Sequence, residues 1–143
     1  MGFDVYGLNP KDRTGEYFRN NVWWWRRLAD FVLEHVELPK KEALYWHSND
    51  GQEVSEASAL RIAQFLKEAL LNRRRHFRWV RESEERYLEM EKRSAEQIVM
   101  TKLKDRGLKV EQVVPPESSY PFSWDNIERF ARFCESSGGF RIC

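Results

Sequence analysis

The sequence predicts a mainly α protein with about four helices, one of them long, and an α+β alternative in which the termini and residues 108–114 form a small sheet. Three observations carry that expectation. Apolar residues recur at helical intervals in three stretches, the run from Arg73 to Asp105 holds neither proline nor glycine, and alternating patterns stand at both ends of the chain.

In MGFDVYGLNP, Phe3 and Val5 alternate with Asp4 and Tyr6 between glycines and ahead of Asn9-Pro10, a strand closed by a turn. A first helix starts at Asn20 or Asn21, both good N-cap types, and runs to about Val36 before Pro39. KKEALYWHSNDGQEV reads as irregular, and Asn49-Asp50-Gly51 as a turn because these residues tolerate positive φ cheaply. Ser55 caps a second helix in which Leu60, Ile62, Ala63, Leu66 (or Phe65) and Leu70 fall at helical spacing. A long third helix follows over 73–105, with a break near Asn72. The i,i+4 pairs Arg78/Glu82, Arg81/Glu85 and Arg93/Gln97 support its polar middle, which projects or packs only through Tyr87, Leu88 and Met90.

Gly107 ends that helix, and LKVEQVV is a short β-like run stopped by Pro115-Pro116. Ser123 caps the last helix, with Phe122 and Ile127 placed for a hydrophobic staple. Ile127, Phe130, Ala131 and Cys134 form its apolar stripe, SSGG stops it, and Phe140 alternates with Ile142 beyond it.

Composition bounds the function. With 143 residues, 41% hydrophobic and 14% aromatic, the chain suits a single domain around one core. Lys and Arg number 24 against 23 for Asp and Glu, so no global field draws the protein to nucleic acid or an anionic membrane. No apolar run reaches the length of a membrane span, and the amino terminus has neither a basic start nor an apolar signal core, which implies a cytoplasmic protein without membrane association. Tyr6 stands where a myristoylation signal wants Ser or Thr, and Cys143 is misplaced for prenylation. Cys134 and Cys143 form no CxxC or Cys/His cluster, Cys134 reading as core and Cys143 as a free end. HExxH, Walker A and GxGxxG patterns are missing, and the carboxylates of 82–96 alternate with Arg and Lys on an exposed face. No catalytic residue, metal ligand or cofactor is therefore assigned, and an enzyme is the weaker class.

The run VWWWRR poses the sharpest question, because a helix turns about 100° per residue and three consecutive indoles cannot share one core. Trp24 and Trp25 fall with Leu28, Val32 and Val36 on the apolar side. Trp23 falls among Arg26, Arg27, Asp30 and Glu34. Either another segment covers Trp23, or it is a recognition point with Arg27 at i+4 lying across its ring. Asn20 is a helix cap or a ligand contact.

MGFDVYGLNP, GEYFRNNVWWWRRL, the NDG at 49–51 and ESSGGFRI together resemble a family of small bacterial and phage proteins of unassigned chemistry. The resemblance lies in the two ends, excludes about 72–119, and implies a bacterial or phage cytoplasmic setting without transferring any catalytic residue.

Two further constellations have alternatives of their own. On one helix, Arg74, Arg78 and Arg81 of RRRHFRWVR would form a stripe for a phosphate backbone, or a solvated face neutralised by the ESEER that follows. His47, Asn49 and Asp50 form a structural turn, or hold an anion beside a helix start. The leading expectation is a non-enzymatic binding protein for a small anionic, nucleotide-like ligand. Its surface would be Trp23, Arg26, Arg27 and Asn20 with Tyr45, Trp46, His47, Asn49 and Asp50. A protein-interaction module, as homodimer or inhibitor of a host protein, is second, and a nucleic-acid backbone binder third.

Overall fold

The computed structural model describes residues 2–105 and 121–143. Helix dominates it, with a small four-stranded antiparallel sheet, and the chain divides into two compact units: Met1–His76 with Phe122–Cys143, and Phe77–Pro121. The strand expected over 108–114 and the stop at Gly107 lie outside the described residues.

In the first unit the strands are β1 (Gly2–Gly7), β2 (Tyr17–Asn21), β3 (Gln52–Val54) and β4 (Phe140–Ile142), in the order β2-β1-β4-β3. Residues directly opposite in an antiparallel pair share a face. Val5 stands opposite both Phe18 and Ile142, Phe3 opposite Asn20, and Val54 opposite Phe140, so these side chains make the inner face, and all are buried. Asp4, Tyr6, Tyr17, Arg19, Glu53 and Arg141 occupy the outer face. The alternation seen at both ends of the sequence is thus the pleat of two neighbouring strands.

The helices begin where capping side chains stand. Asn21 Oδ1 accepts from Trp24 N (2.9 Å) to start α1 (Val22–His35), and Ser55 Oγ accepts from Ser58 N to start α3 (Glu56–Leu71). Ser123 Oγ does the same from Asn126 N for α5 (Trp124–Ser137). Gly138 ends α5 in the left-handed region, at φ 68°. The segment read as irregular holds the short α2 (Lys40–Ala43) and β3, both too brief to show a period. Within α3, Ile62, Ala63 and Leu66 are buried, whereas Leu60 is exposed because its neighbour Ala59 takes the inward position.

Three rings stack through the core: Phe3 on Trp25 (centroids 5.4 Å apart) and Trp25 on Trp46 (5.7 Å), both at 17°. Phe130 meets both indoles edge-on, and α3 packs against α5 alongside. Both indole N–H groups are satisfied, Trp25 Nε1 donating to the Trp46 carbonyl and Trp46 Nε1 to that of Glu42, each at 2.7 Å. The buried Glu42 carboxylate accepts from Ser55 N and Ser58 Oγ at the start of α3. Burial alone would raise its pKa, but these hydrogen bonds outweigh burial and lower it.

At the far end of α1, His35 stacks on Phe65 and meets His76 edge-on at 5.3 Å, with Phe31 touching both histidines. Burial, then His35 and Arg75, lower the His76 pKa. The unfolded chain therefore takes up this proton first as pH falls. The His76 contribution is complete above the ordinary histidine value and declines as pH drops through it toward the folded pKa. Urea midpoints at pH 7.5 and 5.5 should differ less for His76→Phe than for the wild type; an equal difference would contradict this.

The second unit contributes α4 (Phe77–Asp105). The expected break is real: Asn72 caps α3, and a 3-10 turn, Arg73–His76, precedes α4. Within α4, Arg78 reaches Glu82 at 3.9 Å, Arg93 pairs back to Glu89 at 3.1 Å, and Leu88 and Met90 are exposed. No helix among the described residues is long and apolar enough to cross a membrane.

Candidate functional site

Of the three indoles, Trp25 is fully buried, while Trp23 and Trp24 are half-buried. The Arg26 guanidinium lies over the Trp23 ring, 5.3 Å from the centroid. Arg27 is not on an exposed charged face: it is 1% exposed and folds back along α1 to donate to the Trp23 carbonyl at 3.3 Å. The buried arc of α1 is wider than its apolar stripe and takes in Arg27 between Trp23 and Phe31.

The loop after α2 departs further from expectation. Trp46 is no surface residue, since its indole is the outer member of the core stack. Tyr45 is exposed, but its amide donates to Gln52 Oε1 (2.9 Å). His47 turns toward α1, Nε2 lying 3.0 Å from Asp30 Oδ1, and Asp50, three positions on, is exposed. Asn49 Nδ2 reaches the Gly2 carbonyl at 3.5 Å, and Gly51 N donates to Ile142 at 2.9 Å. These bonds fasten the turn to the sheet.

Asn20 is neither cap nor surface. It is 2% exposed, and its amide exchanges two hydrogen bonds with that of Asn126, at 2.9 and 2.8 Å. Truncating one partner leaves the other amide buried and unpaired, so Asn20→Ala should cost about 1–3 kcal/mol in a urea titration. Asn20→Leu with Asn126→Leu should recover part of that; a neutral Asn20→Ala would contradict the pairing.

The arginine stripe is also revised. Arg74 lies in the 3-10 turn and Arg78 and Arg81 in α4, so continuous helical spacing does not relate all three. Arg81 lies over the Phe77 ring at 5.9 Å.

The structure instead gathers guanidinium and aromatic groups along β2, the end strand of the sheet among the described residues. The exposed–buried alternation of YFRNN points Tyr17 and Arg19 outward, while Phe18 goes inward against Phe130 and Phe133 of α5. Arg129 and Arg132, one helical turn apart on α5, flank the same strand. A groove of about 370 Å3 results, lined by Thr14, Tyr17, Arg19, Arg129 and Arg132 over a floor of Phe18 and Phe133. Its lining contains no carboxylate. Arg19 pairs with Asp4 (2.8 Å) and Arg132 with Glu128 (2.7 Å), each just beyond that lining, while Arg129 lies 5.5 Å over the Phe18 ring with no carboxylate partner among the described residues.

Tyr17 donates to the Asp4 carboxylate, and that hydrogen bond raises its pKa above the ordinary phenol value. The sequence hides this site because Tyr17 and Arg129 are more than a hundred positions apart. The legible signals were the alternation in YFRN and the i,i+3 arginines opposite the α5 stripe. No protein-family model, curated protein or solved structure matches the chain. Chemically, the groove offers bidentate donors for oxyanions, a hydroxyl and an aromatic ring.

Proposed function

We propose that this protein is a non-enzymatic binding protein for a small anionic ligand that carries a ring, nucleotide-like in its chemistry, held in the β2-edge groove. One observation carries the proposal: three guanidiniums and a phenol line a single groove that has no carboxylate in its lining. Its volume suits a small molecule, and arginine is the residue that grips phosphate or carboxylate bidentately. The resemblance of the terminal blocks supports a bacterial or phage setting, and a cytoplasmic location belongs to the same proposal.

Calorimetric titration with ATP, GMP and inorganic phosphate tests this. The nucleotides should bind more tightly than phosphate, and Arg129→Glu should weaken them at least tenfold with the urea midpoint unchanged, because Arg129 is exposed. An unaltered affinity in Arg129→Glu would place binding elsewhere. The alternative of a protein-interaction module is favoured by Leu71, which is 85% exposed beside a groove of about 270 Å3 between α3 and α5. A mass that rises with concentration would support it as a homodimer.

A further inference from the structure

The outer face of the sheet continues the groove. Across it, register sets Tyr17, Tyr6, Arg141 and Glu53 in one row and Arg19 with Asp4 in the next. Tyr6 and Tyr17 are 47% and 45% exposed, with ring centroids 5.3 Å apart and planes at 44°. Two half-exposed tyrosines thus stand side by side on neighbouring strands.

Tyr17 and Asp4 are diagonal neighbours across the strand pair, not directly opposite. Its hydroxyl nonetheless reaches that carboxylate, so the phenol leans along the strand pair toward Asp4 while the residue keeps nearly half of its surface exposed. The same carboxylate accepts from Arg19, which ties the tyrosine row to the arginines of the groove. On the far side, Arg141 extends over Gly51: a Cβ there would meet its guanidinium at 3.0 Å. Tyr17 and Arg19 belong to both the groove and the face.

We infer that the ligand is single-stranded nucleic acid, with successive bases stacked on Tyr17 and Tyr6 and the connecting phosphates against Arg19, Arg129 and Arg132. This rests on the proposal that the groove takes an anionic, ring-bearing ligand, and names its class. A mononucleotide has one base and would leave one of the two rings unused, whereas a strand engages both. A duplex hides its base faces and gains nothing from exposed rings. Stacking platforms beside arginines bind single strands with little sequence preference, because every base has a π-face. The sequence places nucleic acid last because ESEER follows its basic run; the sheet face is a different surface, assembled from strands distant in the chain.

The test is fluorescence anisotropy with labelled ten-nucleotide oligo-dT and oligo-U, a ten-base-pair duplex, and unlabelled ATP as competitor. Both single strands should bind at least tenfold more tightly than ATP and the duplex, and a difference between them would tell DNA from RNA as the preferred strand. Tyr6→Ala should weaken the oligomers about tenfold while leaving ATP affinity within twofold. The logarithm of affinity should fall against that of salt with a slope of about −2, for roughly three phosphates engaged. Equal affinity for ATP and oligomers, with Tyr6→Ala neutral and Arg129→Glu damaging, would overturn the nucleic-acid inference and leave the mononucleotide proposal standing. No binding of any probe at millimolar concentration would overturn both.

Discussion

Trp46→Ala is expected to destabilise the first unit by about 3–5 kcal/mol, read as a drop in the urea midpoint. The indole is 0% exposed, stacks on Trp25 and presents edges to Phe130 and Phe140. Truncation removes its largest apolar surface and opens a cavity under three rings that belong to β4, α5 and α1, elements that cannot all move inward together. It also deletes the donor that satisfies the Glu42 carbonyl, and with it the link between the loop and α2. Domains of this size are stable by about 5–15 kcal/mol, so this one change removes a large share. Trp46→Phe, which keeps a ring and loses the N–H, should cost less. A Trp46→Ala variant of normal stability that had lost ligand binding would restore Trp46 to the recognition surface and refute the core assignment.

Gly15→Ala should cost about 2–4 kcal/mol, a large effect for one added methyl. A Cβ at Gly15 would lie 2.0 Å from the Ser136 carbonyl oxygen and 2.3 Å from its carbon, and backbone cannot swing aside as a side chain does. The contact matters because the β1–β2 connection caps the end of α5. Lys11 N donates to Ser136 O at 2.8 Å, Asn9 N to Ser137 O at 3.0 Å, and Leu8 N to Gly139 O at 2.8 Å. The last carbonyls of a helix have no partner within it, and this loop supplies them. Displacing the loop loses those bonds together and tilts β2, which carries Tyr17 and Arg19. Thermal unfolding of Gly15→Ala would show the loss. An unchanged melting temperature would mean that the loop does not press on α5 as described.

Local signals in the sequence were legible where the chemistry is local. Asn21, Ser55 and Ser123 each cap the helix they announce, Gly138 takes the left-handed turn, and Phe3/Val5 and Phe140/Ile142 point inward as their alternation requires. What stayed hidden depends on partners far away in the chain. β3 has three residues, too few for a period, and is defined by its pairing to β4. Asn20 looks like a cap until Asn126, 106 positions on, is seen bonded to it. Arg27 is polar by type, yet its place on α1 is set by how far burial extends around that helix. For the site, Trp23 is half-buried like Trp24, so the helical wheel does not set it apart from that neighbour, and groove residues from β2 and α5 have no common sequence window.

The strand order carries a consequence for how the chain comes into being. Of the four strands β4 is made last, yet it lies between β1 and β3, and among the described residues β3 has no other neighbour in the sheet. Until residue 142 has left the ribosome, β3 lacks its pairing strand and β1 is held on one side only. Closing the sheet means bringing together positions nearly the whole chain apart, a non-local step of the kind that slows folding. The nascent first unit thus carries the inner-face side chains of β1 and β3 incompletely paired throughout synthesis of α4, and its sheet closes only once β4 has been made.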